Sequence, residues 1–141
     1  MNQVSNLGHA EAQKAIQVIQ AELTARGKAA VLVVADTHGE LIALLRMDNA
    51  PLSSITVATN KAWTAARLRR PTRDVGTKLR NKGTDIAFYG DPRAVGWAGG
   101  LPVMVDGVVV GAVGVSGLPE DDDEALATVG VAVIVAALNP S

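Results

Sequence analysis

The stretch GGLPVMVDGVVVGAVGVSG, Gly99 to Gly117, decides how this chain is read. Two apolar, β-branched runs, Val103 to Val105 and Val108 to Val115, flank the pair Asp106-Gly107. Such a pair between such runs predicts a tight β-hairpin, because a type I′ turn needs positive φ at both central residues. The second arm alternates valine with small residues through Val110, Gly111, Ala112, Val113, Gly114 and Val115. One face of that strand therefore carries almost no side chain. Glycine in a strand marks close approach by a second backbone or by a ligand, so a packed helix and a ligand slot both fit this face.

Working outward, Gly90 to Gly100 reads as a loop with Pro92, Gly96, Trp97 and Gly99. Glycine-rich loops with an aromatic often line sites; Trp97 suits such a rim or a plug in the core. On the other side, Leu118-Pro119 leads into Glu120, Asp121, Asp122, Asp123 and Glu124. Carboxylates there complement the positive end of a helix dipole. They lack the spacing of a calcium loop, so no metal site is expected. The final helix is predicted over Glu124 to Leu138. Its run ALATVGVAVIVAAL holds no charge and is shorter than the ~20 residues that span a bilayer, so no membrane role is expected. A helix apolar all round must be covered all round, which predicts a homo-oligomer formed through this helix.

Toward the N-terminus, Ala12, Ala15, Ile16, Ile19 and Leu23 make one apolar face of a helix over Gly8 to Arg26, with Asn6 as a candidate cap and Gly27 as a stop. Ala30 to Asp36 is apolar at almost every position and reads as a central strand. The turn Thr37-His38-Gly39-Glu40 joins it to a strand over Leu41 to Met47, and Asn49 tolerates the left-handed geometry of a tight exit. Ser54 to Leu68 reads as a helix with small residues on its inner face. Arg67, Arg69, Arg70 and Arg73 follow it, suiting a solvated helix end or an anion site. Pro71 breaks that helix and Thr72 can cap a third, to about Asn81. Asp85 to Tyr89 reads as a short strand or turn.

The chain has 141 residues, 48% of them hydrophobic and only 3% aromatic, enough for one domain with an aliphatic core. Its net charge of −1 gives no reason to expect nucleic acid. Cysteine is absent, which excludes disulfides and thiolate metal sites. The start, MNQVSNLGHAEAQ, has no basic region followed by an apolar run, and a cytoplasmic protein is expected. Antiparallel hairpins with helices on their faces make an α+β sandwich.

Four marks in fixed order carry a resemblance: Asp36-x-x-Gly39 after an apolar strand; Arg46-Met47-Asp48-Asn49-Ala50; Gly99-Gly100-x-Pro102-Val103; and Gly111-Ala112-x-Gly114-Val115-Ser116-Gly117 followed by Asp123-Glu124. Lys61-Ala62-x-Thr64-Ala65 is a fifth. Over nearly its full length the chain resembles the GlcG/HbpS family of small heme-binding-like domains, which also occurs as the C-terminal domain of PduO-type proteins. The resemblance implies a profilin-like fold, an antiparallel sheet of about five strands between helices, in dimers or larger assemblies. It departs from the family at Asn49, where glycine is usual, and at Leu118-Pro119.

Two functions follow. One is binding of heme or a related tetrapyrrole in an accessory or sensing role. This needs an apolar slot, for which the bare face at Gly114 and the Gly99-Gly100 loop are candidates, and an axial ligand, for which His38 or His9 stand ahead of Met47 and Met104. The alternative is a catabolic-pathway enzyme acting on an organic acid. There Arg46 would bind a carboxylate, Asp48, Lys61, Asp123 and Glu124 would supply charge and general acid/base chemistry, and the N–H groups of Gly99 and Gly100 would hold an oxyanion.

Overall fold

The computed structural model describes residues 3–139. Its elements in chain order are α1 (His9–Ala25), β1 (Val31–Asp36), β2 (Leu41–Arg46), α2 (Ser54–Leu68), α3 (Thr72–Lys82), a 3-10 turn (Ile86–Tyr89), β3 (Gly100–Val105), β4 (Val108–Ser116) and α4 (Glu120–Leu138). The fold is α+β: one antiparallel sheet in the order β2-β1-β4-β3, with helices on both faces. The sheet has four strands among the described residues, against an expectation of about five. Asp85 to Tyr89 supplies no strand, because the Asp85 carboxylate accepts from Ala87 N–H at 2.9 Å and closes a 3-10 turn.

The hairpin forms as its turn residues require, with φ of 52° at Asp106 and 77° at Gly107. Asn49 adopts the left-handed geometry expected of it, with φ of 72°. The two faces of the sheet differ in grain. Leu32, Val34, Val113 and Val115 meet α1 and α4 through Ile19, Leu23, Leu126 and Ile134. Val31, Val33, Ala35 and Ala112 meet α2 through Ala58, Ala62, Ala65 and Ala66. Small residues on both sides of that second contact let α2 lie close on the sheet.

The starts of the first and last helices differ from the expectation. Asn6 does not cap α1: its amide oxygen accepts from Thr37 N–H at 2.9 Å, while the Glu11 carboxylate takes Gly8 N–H at 2.7 Å. The last helix begins at Glu120, with four acids in its first turn. Pro119, just ahead of it, has no N–H to leave unsatisfied.

Candidate functional site

The strand register sorts the candidate residues to two ends of the sheet. Val31 pairs with both Arg46 and Ser116, and Gly100 with Gly114, so Arg46, Ser116 and the Gly99-Gly100 loop share one end. Asp36 pairs with Gly111, and the turn that follows carries His38 at the opposite end. Leu7 N–H bonds to Val110 C=O at 3.0 Å, bringing the start of α1, with His9, to the same end as His38.

At the first end Lys61 and Asp123 form a buried ion pair, Nζ to Oδ2 3.1 Å, with side chains 1% and 3% exposed. The ammonium also donates to Val115 C=O at 3.0 Å, and Asp123 Oδ1 accepts from Leu118 N–H at 3.1 Å. Gly99, at φ 125°, makes room for this: a Cβ there would stand 2.7 Å from Nζ. Burial pushes the Asp123 carboxyl above its usual range, against the opposing pull of Lys61 and the Leu118 amide. The pair borders a cleft of about 360 Å³ that includes Ser54, Ser116 and Trp97. A second cleft, of about 790 Å³, holds Arg46 and Asp48 and adjoins the first across Pro51 and Gly117.

This arrangement revises the grouping read from sequence. Glu124 turns away to Arg73, at 3.1 Å. Arg46 and Asp48 are exposed, and no ion pair joins them among the described residues. Gly100 N–H donates to Thr72 Oγ1 at 3.0 Å and is not free to hold an oxyanion. The same bond takes the Thr72 hydroxyl from its expected capping role. The bare face at Gly114 is no slot: a Cβ there would lie 2.3 Å from Ala58 C=O, so the α2 backbone fills that space.

At the other end His9 and His38 are both exposed. At the same end lies a cleft of about 570 Å³ lined by Val4, Thr37, Arg69, Met104 and Val108 among others; His38 adjoins it in sequence at Thr37, and neither histidine is part of its lining. Val4 is 59%, Met104 50% and Val108 48% exposed, an apolar rim. Arg69 ends α2 in left-handed geometry, φ 58°. Its Nη1 donates to Thr37 C=O and Thr37 Oγ1, both at 3.0 Å, and reaches Val109 C=O at 3.4 Å. The Thr37 hydroxyl in turn donates to Val109 C=O at 2.7 Å. Nε and Nη2 of Arg69 have no protein partner among the described residues. From sequence Arg69 was one of four arginines at a helix end; the long-range bond to Thr37 is what singles it out.

A second basic group stands nearby. Arg93 lies over the Trp63 ring at 4.3 Å and Arg67 at 5.5 Å. The Trp63 indole N–H is buried with no acceptor among the described residues. Arg93 holds the Asp91 carboxyl below its usual range through side-chain and backbone hydrogen bonds. Trp97, by contrast, is 65% exposed and plugs no core.

A sequence-family model described as "Haem degrading protein HbpS-like" matches residues 7–132. The chain is 42% identical over 85 residues to Protein GlcG of Escherichia coli strain K12, covering 60% of this chain and 62% of that protein. Its fold matches the crystal structure of Klebsiella pneumoniae protein ORFY with a TM-score of 0.89 and 31% identity, over 96% of this chain and 95% of that one. It matches a double mutant of Streptomyces reticuli HbpS with a TM-score of 0.85 and 30% identity, over 94% and 90%. Hairpin, buried Lys61–Asp123 pair and glycine-lined sheet end thus sit on a shared scaffold, and the chain belongs to the HbpS-like family.

Proposed function

We propose that this protein binds a small ligand, heme or a related tetrapyrrole, in an accessory or sensing role, and that the ligand enters the cleft at the histidine end. The make-up of that cleft carries the reading. An apolar rim of Val4, Met104 and Val108 stands beside an arginine fixed at Nη1 with its remaining edge unpartnered. A tetrapyrrole has the same two parts, an apolar plane and carboxylates on its edge. Membership in a family described by heme chemistry supports the match.

In this reading Arg69 holds a carboxylate through its free edge, as guanidinium groups do with paired N–H donors. His38 or His9 supplies an imidazole to the metal, with Met104 as the thioether alternative. Heme, when bound, supplies iron for ligand binding or electron transfer; the chain seats the plane, anchors the edge and excludes water from one face. The same reading includes self-association through α4. Ala125, Thr128, Ala132 and Ala136 lie exposed along one face of that helix, so a partner helix can approach closely.

The test is a hemin titration of purified protein followed by Soret absorbance, beside His9→Ala and His38→Ala. A saturable shift near one hemin per subunit, lost in one variant, is the expected result. A shift that never saturates, or that survives both histidine changes and Met104→Ala as well, overturns the reading.

A further inference from the structure

Seven polar or charged side chains are buried among the described residues, and four of them, Ser54, Lys61, Ser116 and Asp123, line one cleft of about 360 Å³. The other three are threonines whose hydroxyls donate to backbone carbonyls: Thr37 to Val109 at 2.7 Å, Thr64 to Arg93 at 3.1 Å and Thr72 to Gly100 at 3.3 Å. Those hydroxyls tie segments of the chain together. The four groups at the cleft are not used up in this way. Ser54 and Ser116 bond only to each other, Oγ to Oγ at 3.3 Å, so one O–H proton of the pair has no acceptor among the described residues. The Lys61 ammonium has N–H donors to spare: its partners are Val115 C=O and Asp123 Oδ2 alone. Buried polar groups are normally satisfied, and here the unused donors gather at one cleft.

Acceptors stand beside those donors. Each Asp123 oxygen takes a single hydrogen bond, from Lys61 or from Leu118 N–H, which leaves lone pairs free. Glu120, at the rim, accepts from Ala98 N–H at 2.8 Å through one oxygen. A hydroxyl both donates and accepts and so answers both halves of the site. A carboxylate only accepts, and it would meet Asp123 and Glu120. An ammonium only donates, and it would meet Lys61. The remaining lining includes Val57, Leu118 and the ring of Trp97, which offer an apolar wall to the C–H face of a ligand. Apolar walls with a few placed polar groups are the usual make-up of a small-molecule pocket.

We infer that this cleft binds a small neutral polyhydroxyl compound, a polyol or a sugar. Its hydroxyls bond to Ser54, Ser116, Lys61 and Asp123, and its carbon face lies against Trp97. The tetrapyrrole cleft is at the opposite end of the sheet, so the two sites are independent.

The test is ligand-observed NMR on the purified protein with erythritol, ribose and glucose, beside lactate and putrescine as charged probes. Saturable binding of at least one neutral compound is expected, with neither charged probe tighter. Ser54→Ala and Ser116→Ala each remove a hydroxyl and are expected to weaken that binding roughly three- to tenfold, the loss of one neutral hydrogen bond. Trp97→Ala is expected to weaken it as well. Circular dichroism checks each fold; should a serine variant fail to fold, the surface change at Trp97 decides. The hemin titration is expected to be the same in Ser116→Ala as in the wild type. No saturable binding of any neutral probe means that water alone serves the two serines, and overturns the inference. So does an affinity unchanged in the folded variants, or tighter binding of lactate or putrescine. Hemin binding lost in folded Ser116→Ala would make the two clefts one system and overturn the independence of this site.

Discussion

Lys61 on α2 and Asp123 on α4 meet at 3.1 Å although their helices cover opposite faces of the sheet. The contact is made at the start of β3, where Gly99 leaves space for the ammonium. It ties the two layers together at one end of the fold. Removing one member of a buried ion pair leaves an uncompensated charge, whereas replacing both by apolar groups of similar volume is often nearly neutral. Lys61→Met is expected to cost about 3–5 kcal/mol in urea denaturation. Lys61→Met/Asp123→Leu is expected to recover most of that. Equal losses in the single and double variants would mean that the Lys61 bond to Val115 C=O, not the pair, holds the layers.

The pH dependence of the same pair has a definite sign. Burial raises the Asp123 carboxyl in the folded state above its unfolded value, which lies near ~3.9. The folded chain therefore holds that proton more tightly than the unfolded one. The stability this contributes is fully present below the unfolded pKa and is lost as pH rises through the folded pKa. Compared with Asp123→Asn, the wild type is expected to lose relative stability across the acid range just above pH ~4 and then level off. Urea midpoints for both proteins at stepped pH isolate this effect, since the other carboxylates are common to both. A relative gain with rising pH would mean that Lys61 outweighs burial.

Asp91 works in the opposite sense. Arg93 holds its carboxyl below the usual range through direct hydrogen bonds at the surface. The stability from that pair is present above the unfolded pKa and fades as pH falls through the folded one. Asp91→Asn is expected to flatten the acid limb of thermal stability between pH ~4 and lower values. Because Arg93 also lies over Trp63, fluorescence of Trp63 in a Trp97→Phe background reports whether the arginine leaves the ring when Asp91 protonates.

What could be read from the sequence was local, and what was missed was long-range. The Asp106-Gly107 turn and the Asn49 exit declare themselves because a positive φ is a property of the residue that adopts it. The Lys61–Asp123 pair joins residues 62 apart, and a charged residue in a helix gives no sign that it faces inward. Arg69 sat among four arginines until Thr37, 32 residues away, distinguished it. Gly114 shows the same limit from the other side. Its bare face was visible, but whether a helix or a ligand covers it depends on where α2 lies.

Gly114→Ala tests that last point directly. The new methyl would meet Ala58 C=O at 2.3 Å and Ala62 N at 2.8 Å, both helix backbone, which yields less readily than a side chain. Overpacking of this kind is expected to cost about 1–3 kcal/mol, read from the urea midpoint. Hemin affinity of the folded protein is expected to stay at the wild-type value, because α2 and not a ligand occupies the face. A variant of unchanged stability with weakened hemin binding would return the face to the ligand.

Arg69→Gly separates the two jobs of that residue. Glycine suits the left-handed geometry that Arg69 adopts at φ 58°, so the helix stop survives. The lost hydrogen bonds to Thr37 and the relieved backbone strain oppose each other, each worth about 1 kcal/mol. Net stability is therefore expected to change little. If Arg69 anchors a tetrapyrrole carboxylate, the wild type binds hemin more tightly than hemin dimethyl ester, and Arg69→Gly erases that preference by lowering hemin affinity alone. A charge-assisted hydrogen bond of about 1.5–3 kcal/mol corresponds to a loss of roughly ten- to a hundredfold. Equal weakening toward both compounds would mean that Arg69 shapes the cleft through Thr37 without touching the ligand.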